Sequence, residues 1–287
     1  MPTISTVGIC SKPHSEEART VVPRLLEWLQ ERSIAVRCDQ ETAAYAPAVQ
    51  AIPRAEVPPG CDLVIVLGGD GTLLSAARAI GKLEIPLFAV NLGGLGFLTA
   101  ITIDEIYPEL ERAFRGEHRI ARRKLLSTEV VRGDEVVASY QALNDAVLTK
   151  AAIARMIDLE AWVDQQFVCA YKADGLIIST PTGSTAYSLS AGGPVIFPAV
   201  PAICLTPICP HTLTNRPVLV PETSVIRILA HNPNESTYLT IDGQVGGPIV
   251  DGDAIVCRSS NYALHLIRPP HARFFDVLRQ KLDWGKR

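Results

Sequence analysis

The sequence predicts an α/β domain followed by a mainly antiparallel β domain. Strand and helix signals alternate over the first hundred residues, whereas a hydrophobic period of two dominates residues 119–267. Alternating strands and helices favour a Rossmann-like parallel sheet, and the period of two favours half-buried strands. The predicted domains are therefore residues 1–116 (α/β) and 117–267 (all-β), with a C-terminal helical segment at 268–287 that packs back on the first domain.

Four short apolar runs in the first domain are predicted to be strands. They lie at residues 4–10, 34–38, 63–67 and 87–90. Ser15 can cap a helix whose apolar residues recur at helical spacing as far as Leu29, and Pro23 predicts a kink or a late start in it. The spacing of Thr102 and Glu105 is that of a capping box, which predicts a helix up to a stop at Gly116.

In the second domain, turn residues separate the alternating segments. Gly133-Asp134, the segment 241–244 and the segment 251–253 are predicted to be hairpin turns. A return to helical period at residues 272–284 predicts the C-terminal helix.

Composition excludes several classes of function. The chain has 287 residues, 47% hydrophobic and 20% charged, with a net charge of −3. Such a chain is an ordinary globular protein, and without a basic tract it is not expected to bind nucleic acid. No signal peptide is recognisable, and prolines interrupt the charge-free segment 175–215, so a membrane span is not expected either. The predicted location is the cytoplasm.

The chain has seven cysteines, an odd number, and no Cys-x-x-Cys pair. Reduced, buried thiols are the favoured interpretation. Cys204, Cys209 and His211 form an alternative metal site, but it lacks a fourth ligand, and prolines lie within it.

The segment Gly68-Gly69-Asp70-Gly71-Thr72 is the most informative part of the chain. It follows an apolar strand and precedes a helix-like stretch. Glycines at a strand end let backbone N–H groups approach phosphates, and the carboxylate can act as a base or help to hold a metal. The alternative is a tight turn with Asp70 as a helix cap. A second glycine-rich turn at 91–97 also follows a strand, which predicts that both turns lie at the same edge of a parallel sheet.

Three polar segments in the second domain complete the candidate site. Residues 173–188 are rich in hydroxyls, which can donate to phosphate or ribose oxygens. Asn144-Asp145 offers an amide for a base edge and a carboxylate for a ribose diol. The third segment is Ile241-Asp242-Gly243-Gln244. Each segment also has a simpler interpretation, as a surface loop, a cap or a turn.

Taken together, these segments resemble the NAD kinase family, whose members phosphorylate NAD to NADP. The resemblance rests on the segments 68–72, 91–98, 144–145, 174–194, 210–217 and 242–244, which occur in family order and cover about residues 5–268. It implies a two-domain fold with the nucleotide between the domains, a homodimer or homotetramer, a divalent cation such as magnesium, and ATP or polyphosphate as donor.

The resemblance also implies roles for individual residues. Asp70 is the expected general base, which takes the proton of the adenosine 2′-hydroxyl. The positions implied to bind NAD are Asp70, Gly71, Asn91, Asn144, Asp145, Arg155, Lys172, Asp174, Thr185, Ala186, Tyr187, Ser188, Leu189, Ser190 and Gln244. The donor phosphates are expected at Gly68, Gly69, Gly71 and Thr72.

Two other functions stay open from the sequence. One is a kinase of a lipid or another small molecule within the same superfamily. The other is a nucleotide-binding protein without kinase activity, either a dehydrogenase or an NAD sensor. A dehydrogenase should carry Gly-x-Gly-x-x-Gly after its first strand, where this chain has Ser11-Lys12-Pro13-His14.

Overall fold

A computed structural model describes residues 4–94, 96–150, 156–231, 237–270 and 272–284. Its contacts divide the chain into two compact units. The first unit is Met1–Arg123 with Ala263–Arg287, and the second is Lys124–Tyr262. The domain boundaries at residues 116 and 267 stay predictions.

The first unit begins with alternating strands and helices. Its elements are β1 (Thr6–Ser11), α1 (Glu16–Glu31), β2 (Ala35–Asp39), α2 (Gln40–Ala43), β3 (Ala51–Ile52), β4 (Leu63–Leu67), α3 (Asp70–Ile80), β5 (Leu87–Val90) and α4 (Ile106–Phe114), with 3₁₀ turns at Arg54–Glu56 and Ile103–Glu105. The strands pair in parallel in the order β5-β4-β1-β2-β3. Their side chains form a buried core with those of α1 and α4.

Antiparallel strands dominate the rest of the chain. The elements are β6 (Arg119–Arg132), β7 (Glu135–Ala142), β8 (Asp145–Lys150), β9 (Ile157–Val163), β10 (Gln166–Ala173), β11 (Gly175–Ser179), α5 (Tyr187–Ser190), β12 (Ala202–Ile208), β13 (Val218–Pro221), β14 (Ile226–Ala230), β15 (Thr237–Ile241), β16 (Val245–Ile249), β17 (Ala254–Arg268) and α6 (Phe274–Leu282), with a 3₁₀ turn at Gly183–Thr185. One sheet has the order β13-β12-β11-β8-β15-β16, and β10, β9 and β14 pair in sequence with the start of β17. Both sheets contribute to one core.

The predicted fold class is confirmed, and so are most of the local predictions of helix starts and stops. Ser15 caps α1 by accepting from the Ala18 N–H, and the capping box of Thr102 and Glu105 is present. Gly116 has a φ of 73°, which suits a helix stop. Helix α1 begins at Glu16 and runs through Pro23, so the late start predicted as one option does not occur.

Two topological details differ from the prediction. The turn at 251–253 is not a hairpin, because it leads from β16 to β17 and these two strands pair with different neighbours. The end of β17 does not continue the antiparallel pattern. Leu266 and Ile267 instead pair in parallel with Leu87 and Phe88 of β5. The end of β17 therefore extends the sheet of the first unit. Helix α6 also belongs to the first unit.

No helix in the described part of the chain is both long and apolar enough to cross a membrane.

Candidate active site

The glycine turn between β4 and α3 is tight on one side and open on the other. A Cβ at Gly68 would overlap the Thr72 hydroxyl and lie 3.2 Å from the Cβ of Lys12. A Cβ at Gly69 or Gly71 would have no heavy atom within 4 Å. Helix α3 begins on this turn, and the N-terminus of a helix favours an anion. The turn therefore has the space and the electrostatic field that a phosphate requires.

The Asp70 carboxylate connects this turn to the second glycine-rich segment. Its Oδ2 accepts from the Phe97 N–H at 2.9 Å. Its Oδ1 accepts from the Leu98 N–H at 3.1 Å, the Thr99 N–H at 3.2 Å and the Thr99 hydroxyl at 3.2 Å. A carboxylate has about four acceptor positions, two on each oxygen. Oδ1 is therefore saturated, whereas Oδ2 retains acceptor capacity among the described contacts.

Asn91 shapes the second glycine-rich segment from within. Its amide nitrogen donates to the Gly94 carbonyl at 2.8 Å, and its amide oxygen accepts from the Gly93 N–H at 2.9 Å. The residue is buried. Its predicted contact with NAD stays a prediction, and the structure shows a role in the conformation of the loop.

Arg268 is a residue that sequence reasoning missed. It lies at the end of β17, is 7% exposed, and donates to the carbonyls of Phe97 and Leu98. The available signal was a lone arginine at the end of an apolar run, directly before two prolines. That signal alone does not identify the partner of the arginine.

In the second unit, Asp242 holds the Asn144-Asp145 segment by the backbone. Its Oδ2 accepts from the Leu143 N–H at 2.9 Å, and its Oδ1 accepts from the N–H groups of Asn144 at 2.7 Å and Asp145 at 3.1 Å. Asp242 and Gly243 have φ values of 52° and 66° in a turn between β15 and β16. The predicted hairpin at 241–244 is confirmed, and its carboxylate fixes Asn144-Asp145.

Three buried hydroxyls of the hydroxyl-rich run bond to groups of the protein itself. The Thr180 hydroxyl donates to the Leu143 carbonyl at 2.6 Å, and the Ser184 hydroxyl donates to the Pro181 carbonyl at 2.7 Å. The hydroxyl of Ser188 lies 2.9 Å from that of Thr206. Thr180, Ser184 and Ser188 are at most 3% exposed. Their hydroxyls satisfy interior polar groups, so a ligand is left with the more exposed members of the run.

A cavity of about 320 Å³ lies beside Asn144-Asp145. Its lining comprises Asn144, Asp145, Val147, Thr149, Ala186, Tyr187, Thr240, Asp242 and Gly243. Burial, and secondly the charge of Asp242, raise the pKa of the Asp145 carboxyl to about 7. Asp145 is therefore a buried carboxyl, poised near neutrality, at the wall of a ligand-sized cavity.

The remaining predicted residues are placed as follows. Thr185 donates to the Thr182 carbonyl at 3.3 Å, and Asp174 pairs with Lys150 at 2.6 Å. Lys172 is exposed, and its carbonyl accepts from the His211 N–H at 2.9 Å. Leu189 and Ser190 belong to α5, and the N–H of Gln244 closes the β15–β16 turn. Arg155, and Leu95 of the second glycine segment, lie outside the described residues. The binding roles of all these positions stay predictions.

Comparisons with known proteins give first the class of enzyme and then the family. A family model described as the ATP-NAD kinase N-terminal domain matches residues 7–118, and one described as the ATP-NAD kinase C-terminal domain matches residues 143–269. The chain is therefore an enzyme of the kinase class. The chain belongs to the NAD kinase family.

Individual relatives agree with this assignment along the whole chain. The NAD kinase of Solibacter usitatus is 72% identical over 287 residues, which cover 100% of both chains. That of Koribacter versatilis is 48% identical, with 99% of this chain and 100% of the relative covered.

Two solved structures share the fold. Yeast NADH kinase complexed with NADH is 26% identical and superposes with a TM-score of 0.91, covering 100% of this chain and 90% of that one. An NAD kinase from Archaeoglobus fulgidus in complex with ATP is 25% identical, with a TM-score of 0.79 and coverage of 98% and 100%. The predicted family and function are thereby confirmed.

Proposed function

We propose that this chain transfers the terminal phosphoryl group of ATP to the 2′-hydroxyl of the adenosine ribose of NAD, giving NADP. The observation that carries the proposal is the Asp70 carboxylate at the first residue of α3. Among the contacts of the described residues, its Oδ1 is saturated and its Oδ2 retains acceptor capacity. Relatives named NAD kinase along the full chain support the choice of acceptor. The ATP complex of the archaeal neighbour supports the choice of donor.

In the proposed reaction, Asp70 is the general base. Its Oδ2 takes the proton of the ribose hydroxyl as the new P–O bond forms, and the bond from the donor phosphorus to its leaving oxygen breaks. A base held within hydrogen-bond reach typically accelerates such a step by ~10²- to 10⁴-fold. Because Oδ1 is fixed by three donors, the carboxylate does not have to reorganise before it accepts the proton.

The glycine turn is the proposed cradle of the donor phosphates. Gly69 and Gly71 face open space, and Thr72 lies in the first turn of α3 with a hydroxyl donor. Phosphoryl transfer depends mainly on position and on neutralisation of charge, and a helix N-terminus contributes to both. The same arrangement accommodates ATP or polyphosphate, so the donor has to be compared directly.

Magnesium is part of the proposal. In the described ranges, no three His, Cys, Asp or Glu side chains converge. A site with few protein ligands fits a magnesium ion that arrives on the donor phosphates and keeps several waters, as is usual in kinase sites. When bound, the ion would neutralise phosphate charge. A homodimer or homotetramer and a cytoplasmic location also stay predictions.

Asn144 and Asp145 are proposed to hold the dinucleotide at the cavity of the second unit. An amide and a carboxyl can recognise a base edge and a ribose diol, respectively. The backbone of both residues is fixed by Asp242, so their side chains are presented from a rigid support.

The deciding experiment incubates the protein with NAD, ATP and magnesium and detects NADP with an NADP-specific dehydrogenase. Parallel reactions replace ATP with polyphosphate, NAD with NADH, and NAD with diacylglycerol vesicles. NADP formation supports the proposal. Phosphorylated lipid without NADP would identify a lipid kinase, and NAD binding without turnover by the folded protein would identify a sensor.

A further inference from the structure

The segment 97–99 lies between two opposite charges. On one side, the N–H groups of Phe97, Leu98 and Thr99 donate to the Asp70 carboxylate. On the other, the carbonyls of Phe97 and Leu98 accept from Nη1 of Arg268 at 3.3 and 3.2 Å. All these residues belong to the first unit. The contacts therefore form a continuous connection from the arginine to the carboxylate.

Two successive peptide units make this connection. The Phe97 carbonyl and the Leu98 N–H belong to one peptide unit, and the Leu98 carbonyl and the Thr99 N–H belong to the next. Each unit points its oxygen at Arg268 and its hydrogen at Oδ1 of Asp70. A peptide dipole oriented between a cation and an anion has each of its hydrogen bonds strengthened by the other.

Arg268 is itself held firmly. It is 7% exposed, its other terminal nitrogen, Nη2, donates to the Ala272 carbonyl at 3.4 Å, and the strand before it pairs with β5. Burial lowers the pKa of the Arg268 guanidinium, an effect that the charge of Asp70 opposes and that of Arg119 reinforces. Burying a guanidinium is costly, and its bonds to the 97–98 carbonyls account for the position.

We propose that Arg268 is a positioning residue of the reaction. Through the peptide units 97–98 and 98–99 it locks Oδ1 of Asp70 and so directs Oδ2 towards the ribose hydroxyl. Arg268 touches neither substrate nor donor in this role. The inference rests on the proposed function of Asp70, and its tests include one that does not depend on activity.

The first test is a set of kinetic constants. Arg268→Met keeps the bulk of the side chain and removes the charge, and it should lower kcat by ~10- to 100-fold with little change in the KM for NAD, as expected for a displaced catalytic group. Arg268→Lys retains a point charge and should recover part of the loss. Arg279→Gln, which removes an exposed arginine of α6, is the matched control and should behave as wild type. An Arg268→Met protein that melts like wild type and keeps its kcat would overturn the inference.

The second test is a double-mutant cycle. If Arg268 acts through Asp70, the Asp70→Ala/Arg268→Met protein should be no slower than Asp70→Ala alone. If the two single losses in kcat multiply in the double variant, Arg268 acts independently of Asp70, and the inference is overturned.

The third test is hydrogen exchange, read by mass spectrometry on peptides covering 97–99. Protection of these amides should fall in Arg268→Met and stay unchanged in Arg279→Gln. Unchanged protection in Arg268→Met would contradict the connection from Arg268 to Asp70. This measurement needs no substrate, so it tests the connection from Arg268 to Asp70 independently of the proposed function. Failure of the proposed function would show instead as a wild-type protein that forms no NADP.

Discussion

Asp70 in the first unit and Asp242 in the second use their carboxylates in the same way but with different results. Each accepts hydrogen bonds from three consecutive backbone N–H groups, at 97–99 and at 143–145. Asp70 lies on an open glycine turn. Asp242 is buried beside a second carboxyl, Asp145, in a cavity. The same arrangement therefore holds the proposed base Asp70 in one unit. In the other unit it adds, after burial, to the raised pKa of the neighbouring Asp145 carboxyl.

The comparison predicts its largest effect at Asp70. Asp70→Ala removes the proposed base and the anchor of the 97–99 segment, and kcat should fall by ~10³- to 10⁴-fold. Asp70→Asn should be as slow as Asp70→Ala, because an amide NH₂ would face N–H donors on at least one side. NADP formation at saturating NAD measures both, and calorimetric binding of NAD shows that each variant is folded. An Asn variant with near wild-type turnover would refute the role of Asp70.

At Asp145 the comparison predicts a dependence of stability on pH. The unfolded carboxyl loses its proton near pH 4 and the folded one near pH 7. Between these values the folded state holds the extra proton, so stability falls as the pH rises; the penalty is absent below pH 4 and complete above pH 7.

Asp145→Asn has no charge to bury and should avoid this loss, which at ~1.4 kcal/mol for each unit of pKa amounts to at most about 4 kcal/mol. The difference between the urea unfolding free energies of wild type and variant, measured from pH 4 to pH 8, checks the sign. A difference that stays constant over this range would show that the pKa of Asp145 is not raised.

Asp242→Ala should act on stability. It leaves the N–H groups of Leu143, Asn144 and Asp145 without their carboxylate partner, at ~1 kcal/mol or more each. The free energy of unfolding should fall by ~3 kcal/mol, against a change within ~0.5 kcal/mol for the exposed control Asp134→Ala. Equal unfolding midpoints for the two variants would mean that the Asp242 contacts are unimportant for stability.

Gly96→Ala should produce the smallest of these effects. It tests the position of the Asp70 carboxylate separately from its presence. Its Cβ would overlap Oδ1 of Asp70 and the Thr99 hydroxyl, so the carboxylate is kept but displaced. We expect kcat to fall by ~100-fold, the scale of a 1 Å misplacement. Gly94→Ala is the matched control, because a Cβ there has no heavy atom within 4 Å. Indistinguishable kinetics for the two variants would show that the position of Asp70 is not limiting.

Local signals in the sequence were sufficient for much of the fold. The strands Leu63–Leu67 and Leu87–Val90, the cap at Ser15 and the capping box at Thr102 were all predictable, because each depends on residues a few positions apart. The glycine turn with Asp70 was recognisable for the same reason. Its five residues directly follow the end of a strand and include a close backbone approach and the start of a helix.

The tertiary structure alone decided how the candidate site is supported. Asp70 reaches Thr99 across 29 positions, Asp242 reaches Asn144 across 98, and Arg268 reaches Phe97 across 171. Such partners are brought together by strand pairing, including the parallel pairing of β17 with β5 that the period-two pattern did not indicate. The sequence by itself determined which groups could perform the chemistry, because residue type sets charge and hydrogen-bonding capacity. Which oxygen of Asp70 retains acceptor capacity, and which carboxyl has a raised pKa, depends on burial and on distant neighbours that only the folded chain assembles.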